Sequence, residues 1–156
     1  MTTRVPLVLV DGIVRRLAAG DDVSGATPSP VFTLSNANAG AITIGQAVYS
    51  SATGAVDLAK ADSIGTSQVL GLVGQATIGI GGSGTVQYGG VLSSANWTAV
   101  MGATTLTAGA VYYLDASTAG KLTANPPDAT GKYVVKVGTA LSTTELHIEI
   151  DSPVGA

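Results

Sequence analysis

Ile42-Thr43-Ile44-Gly45-Gln46-Ala47-Val48-Tyr49 is followed, sixty-four residues further on, by Leu106-Thr107-Ala108-Gly109-Ala110-Val111-Tyr112-Tyr113. Thr, Gly and the final Tyr recur in register. At the same offset Ala52 meets Ala116, and Leu72-Val73-Gly74-Gln75-Ala76 meets Lys136-Val137-Gly138-Thr139-Ala140. Gly45 to Gly74 and Gly109 to Gly138 are therefore equally spaced, and one gap-free register of this length marks an internal duplication. Each unit reads as a strand (Ala47-Val48-Tyr49, or Val111-Tyr112-Tyr113), a Gly/Ser/Thr turn, a short strand (Val56-Asp57-Leu58, or Lys121-Leu122-Thr123), a loop, and a strand ending at the second Gly. Thr85-Val86-Gln87-Tyr88 and Leu146-His147-Ile148-Glu149-Ile150 close the two units, and the alternation in the latter gives a half-buried strand. Two few-stranded units, each too small to bury a core alone, form one closed or nearly closed β-barrel or sandwich.

Outward from the repeat, the composition agrees. The 156 residues are 46% apolar, 11% charged and 4% aromatic, with 21 Gly, 6 Pro and few strong helix formers, which excludes a helical bundle and predicts an all-β chain. Three regions follow. Residues 1–40 read as an N-terminal hairpin and extended arm. Leu7-Val8-Leu9-Val10 and Ile13-Val14-Arg15-Arg16 flank Asp11-Gly12, the pair suited to a type I′ turn, and a Gly/Ser/Pro/Asn-rich stretch interrupted by Val31-Phe32-Thr33-Leu34 comes after. Residues 41–150 hold the duplicated β-region, at about 41–90 and 105–150. Residues 151–156 are a C-terminal tail. Between the copies, Ser94 is placed to cap one helical turn containing Trp97, and an irregular crossover suits the same residues.

A net charge of −3, from seven basic and ten acidic residues, leaves no broad positive surface for nucleic acid. No apolar run approaches the roughly 18 residues of a membrane-spanning helix, and the N-terminus lacks the pattern of a signal peptide, so the chain is expected to be soluble and made in the cytosol. With no Cys there is no disulfide framework, thiol catalysis or Cys-bound zinc. A mean hydropathy of +0.41 with so few charges predicts a subunit of an assembly.

No catalytic, cofactor-binding or metal-binding residues are expected. His147 is the sole histidine and lies on a strand beside Glu145 and Glu149, which reads as a solvent-facing position. Gly79-Ile80-Gly81-Gly82-Ser83-Gly84 lacks the Lys-Ser/Thr and the helix start of a phosphate loop and reads as a hairpin loop. Asp21-Asp22, and Asp57 with Asp62, lack the alternating oxygen ligands of a calcium loop. Asp57, Asp115 and Glu149 are the carboxylates an enzyme would have to use, and the chain has few aromatics to stack a sugar. For partner binding the candidates are Arg4, Val5, Pro6, Arg15 and Arg16 in the one locally basic segment, together with Trp97. The arginines read as a solvated hairpin face or as a docking site for an acidic partner. Trp97 reads as a core plug or an interface anchor.

The run Val5-Pro6-Leu7-Val8-Leu9-Val10-Asp11-Gly12-Ile13-Val14-Arg15-Arg16-Leu17-Ala18-Ala19-Gly20-Asp21, with Gly45-Gln46-Ala47-Val48-Tyr49, Val69-Leu70-Gly71-Leu72-Val73-Gly74-Gln75-Ala76, Gly109-Ala110-Val111-Tyr112-Tyr113-Leu114 and Val137-Gly138-Thr139-Ala140-Leu141-Ser142, resembles small β-rich virion proteins of tailed bacteriophages. These include capsid decoration (cement) proteins and modules of head or tail fibres. The resemblance covers most of the chain and implies a non-enzymatic, trimeric structural role without a cofactor. The expected function is that of a decoration protein on the outside of the head, made in the host bacterial cytoplasm, with the major capsid protein and further copies of itself as partners. The alternative is a trimeric head or tail fibre, or a collar module, in host attachment.

Overall fold

A computed structural model describes residues 7–10, 13–16 and 30–156, the first two stretches as backbone strands only. The chain is nearly all β. Strands β1 (Leu7–Val10) and β2 (Ile13–Arg16) pair antiparallel from Leu7↔Arg16 to Val10↔Ile13, in a two-stranded ladder of their own.

The first copy of the repeat contains β4 (Ile42–Thr43), β5 (Ala47–Ala52), β6 (Ala55–Leu58), β7 (Val69–Val73), β8 (Thr77–Ile78) and β9 (Ser83–Gln87), preceded by β3 (Val31–Asn36). Five of these strands make a closed barrel in the order β3-β6-β5-β7-β9, and β4 pairs with β8. Its interior is filled by Ile42, Val48, Val56, Val73, Ile78 and Val86. The second copy comes after β10 (Gly90–Ser93) and the helical turn α1 (Thr98–Met101). Strands β11 (Val111–Leu114), β12 (Leu122–Thr123), β14 (Lys136–Ala140) and β15 (Glu145–Ile148) lie with β10 in a sheet of order β10-β15-β14-β11-β12, while β13 (Tyr133–Val134) pairs with β16 (Val154–Gly155).

Put β3 against β10, β9 against β15, β7 against β14, β5 against β11 and β6 against β12, and the strand orders are the same. The duplication therefore holds strand by strand. The β5–β7 ladder shifts register between Val48 and Tyr49, and the β11–β14 ladder between Tyr112 and Tyr113, sixty-four residues on. The Gly45 amide donates to the Val73 carbonyl at 2.9 Å, and the Gly109 amide to the Ala140 carbonyl at 2.8 Å. Both glycines take the left-handed backbone, φ +82° and +80°, which only Gly adopts without strain.

The later half of the gap-free register is corrected. Val48 faces Gly71 and Tyr112 faces Gly138, so the counterpart of Gly138 is Gly71 and not Gly74. Ser50↔Val56 against Leu114↔Leu122 shows that the second copy has a hairpin two residues longer, and a third residue is added before β14. Hydrophobic pattern alone cannot choose between two glycines three residues apart. Ladder geometry does, because a side chain at Gly71 or Gly138 would strike the carbonyl of Gln87 or His147 on the neighbouring strand.

Two boundaries also move, and one loop is reassigned. The stretch 31–34 lies in the barrel rather than in an arm ending at 40: β3 pairs antiparallel with β9, and through Ser35↔Ala55 and Asn36↔Val56 it pairs parallel with β6, which closes the first copy by itself. The second copy stays an open sheet, because its chain turns away after Ser93. There the Ser94 hydroxyl bonds the backbone carbonyl (2.9 Å) and amide (3.3 Å) of Asn96. The C-terminal tail is not free, since Val154–Gly155 pairs with Tyr133–Val134. The glycine loop 79–82 is a tight turn, with the Gly82 amide on the Gly79 carbonyl at 3.0 Å, joining strands of different ladders rather than a paired hairpin.

Between the copies lies one larger core. Ala47, Ala59, Ala61 and Leu72 of the first copy join Trp97, Val100, Tyr112, Leu114, Val137, Leu146 and Ile148. Backbone bonds cross the seam, from Ala47 to Gly120 at 3.0 Å and from Gly120 to Ala59 at 2.7 Å.

Candidate docking surface

Of the six residues expected to meet a partner, Arg4, Val5 and Pro6 lie outside the described residues. Arg15 and Arg16 lie on β2, in register with Val8 and Leu7. Trp97 is a correction to the interface-anchor reading: it is fully buried in the core between the copies and offers a partner nothing. Its ring lies where a Gly45 side chain would be, and its Nε1 points at the Thr144 carbonyl, 3.4 Å away. Nor does Ser94 cap α1. The helical turn starts at Thr98, whose amide bonds the Asn96 carboxamide oxygen at 2.8 Å.

A surface that sequence reading did not single out lies at one end of the barrel. In the β3–β9 ladder Phe32 faces Val86, and opposed residues share a side of the sheet, as does Tyr88 two residues on. Val86 is buried in the barrel, whereas Phe32 and Tyr88 protrude at its mouth, 42% and 45% exposed, with ring centroids 4.6 Å apart and stacked. The Tyr88 amide donates to the Pro30 carbonyl at 2.8 Å, and the Pro30 ring lies against Gly89 and Gly90. Across the turn on β10 Val91, 44% exposed, faces His147, and the Gln87 carboxamide holds the turn by donating to the carbonyls of Gly89 (2.9 Å) and Val91 (3.1 Å).

The second copy provides an internal comparison. Leu92 faces Leu146 as Phe32 faces Val86, so the counterparts of Phe32 and Tyr88 are Leu92 and Ile148. Those two are 3% and 4% exposed. The same position of the same unit is covered in one copy and bare in the other. A signal was present in the alternation Phe32/Leu34 and Val86/Tyr88, but only a ladder spanning more than fifty residues brings the two rings together.

Polar chemistry elsewhere is locally committed. On the outer face of the second sheet Glu149 accepts from Lys136 at 2.7 Å and from Thr139 at 3.4 Å, with His147 Nδ1 at 3.6 Å. The Lys136 ammonium holds the Glu149 carboxyl below its ordinary pKa and is itself raised by that bond. His147 is thus the partly exposed strand residue the alternation predicts. An open cleft of about 420 Å³ is lined by Lys60, Asp115, Thr123, Asn125, Asp128 and Lys132. Lys60 is paired with Asp62 at 2.8 Å and lowers that carboxyl's pKa, while Asp115 accepts the amides of Ser117 and Thr118. Asp57 accepts the amide of Leu58 at 2.7 Å. Among the described residues no three His, Asp or Glu side chains are grouped to hold a metal ion, and no helix is long and apolar enough to cross a membrane.

Compared with protein-family models and with curated proteins, the chain matches none.

Proposed function

We propose that this chain is a virion structural protein that decorates the outside of a bacteriophage head, docking through its N-terminal segment and presenting the duplicated β-module outward. The observation that carries the reading is the separateness of the N-terminal hairpin. Strands β1 and β2 pair with each other in a ladder apart from the other sheets. Six of their eight residues are apolar, the other two are Arg15 and Arg16, and residues 17–29 join them to the β-module. A short apolar hairpin gains stability by packing on something else, and a tethered one reaches neighbouring subunits of a shell. Repetition over the shell then adds avidity to a contact that is weak singly. The resemblance to phage decoration proteins and the low charge of the chain support the same reading.

The test is cosedimentation with shells stripped of decoration. The full chain is expected to saturate the shell at a fixed stoichiometry, and a variant lacking residues 1–20 to lose at least tenfold in affinity. Undiminished binding by that variant overturns the docking mechanism, and no binding by the full chain overturns the function.

A further inference from the structure

We infer that, in the protein free of any shell, the barrel end formed by Phe32 and Tyr88, with the adjoining Val91, is the seat of the chain's own N-terminal hairpin, Leu7–Val10 with Ile13–Arg16. The seat presents Phe32 and Tyr88, whose counterparts in the second copy, Leu92 and Ile148, are buried, together with the exposed Val91 of the adjoining β10. Its edge is Pro30, the residue at which the N-terminal segment joins the β-module, bonded to Tyr88 and packed on Gly89 and Gly90.

The occupant follows from chain length and chemistry. Thirteen residues, 17–29, separate the hairpin from Pro30. Thirteen residues reach at most about 45 Å even when fully extended, which keeps the hairpin near the aromatic pair at an effective concentration on the order of millimolar. A partner in dilute solution does not compete with that. A two-stranded hairpin alone in water is marginal, so one with six apolar residues in eight gains most from a nearby apolar surface. The cations of the hairpin are arginines, which stack favourably on exposed aromatic faces.

Hydrogen exchange on the isolated full-length chain tests this without any shell. The amides of Leu7–Arg16 are expected to be protected, to the same degree at every protein concentration. F32S with Y88S is expected to reduce that protection at least tenfold, while the amides of Val48 and Leu146 stay slow and report an intact core. V91S, in the neighbouring sheet, serves as a second variant should the double substitution unfold the barrel, and it is expected to reduce protection severalfold. Hairpin amides that exchange as in an unstructured peptide, or protection indifferent to all three substitutions, overturn the inference. Protection that disappears on dilution also overturns it, by placing the hairpin on a second copy. Loss of shell binding in the cosedimentation assay bears on the proposed function alone.

Discussion

Two glycines decide how tightly the sheets close. An ideal Cβ at Gly71 would stand 2.5 Å from the Gln87 carbonyl oxygen, and one at Gly138 would overlap that of His147. At Gly74, the residue that the plain repeat register favours, the nearest atom is 3.6 Å away. G71A and G138A should therefore each cost about 1–3 kcal/mol through forced separation of neighbouring strands, and G74A should stay within about 0.5 kcal/mol of the parent, as read by urea unfolding. Equal costs at Gly71 and Gly74 would contradict the ladder assignment. Trp97 is the other residue on which much depends. Truncation to Ala removes the largest fully buried side chain between the copies and should cost about 3–5 kcal/mol. The sequence made a core Trp readable, since a lone Trp in a crossover between repeats has a natural place at their seam. Its rival role as an anchor was removable only by the burial itself.

At the scale of elements, closure of the barrel depends on Asn36. Its buried side chain donates to the carbonyls of Gly40, Ile78 and Gly79 at 2.9, 3.0 and 3.2 Å and accepts the Asn38 amide at 2.8 Å, beside the parallel β3–β6 pairing. N36A removes these bonds at a buried site and takes the Asn36 acceptor from the Asn38 amide, which should cost about 1–3 kcal/mol. N36D sets a carboxylate against three carbonyl oxygens, so its folded-state pKa rises above the unfolded value. The N36D deficit is then full above the raised pKa and shrinks as pH falls through it, because the protonated acid donates again. Unfolding midpoints at a series of pH values check this, and an N36D deficit that grows toward acid would contradict it. The Lys136–Glu149 pair acts in the opposite sense. Glu149 is held below its ordinary value, so its contribution is present above that value and fades as pH falls through the lowered one. K136M should raise the Glu149 pKa toward the ordinary carboxylate range, measurable by NMR titration. Elements were the level most legible in sequence: the repeat marked β5, β7 and β11, and period-two alternation marked β15, which buries one face. The closing role of β3 was not legible, since a parallel pairing of two residues with β6 leaves no local pattern.

For the whole molecule, duplication supplies two copies of one sheet order, of which the first closes alone and the second stays open and shares its core with the first. The repeat was visible in the sequence. The asymmetry was not, because it arises from the six-residue β3 preceding one copy and the four-residue β10 preceding the other. That asymmetry leaves Phe32 and Tyr88 bare beside the root of the N-terminal segment, so the parts proposed to dock and to rest lie at one end of the chain. The proposed function has this module tile a shell. Its most direct test is the copy number of the protein per purified particle, by quantitative mass spectrometry against the major shell protein. A decoration protein gives a ratio near one to one or a simple fraction of it. A few to a few dozen copies would contradict it and make the chain a fibre, collar or tail component.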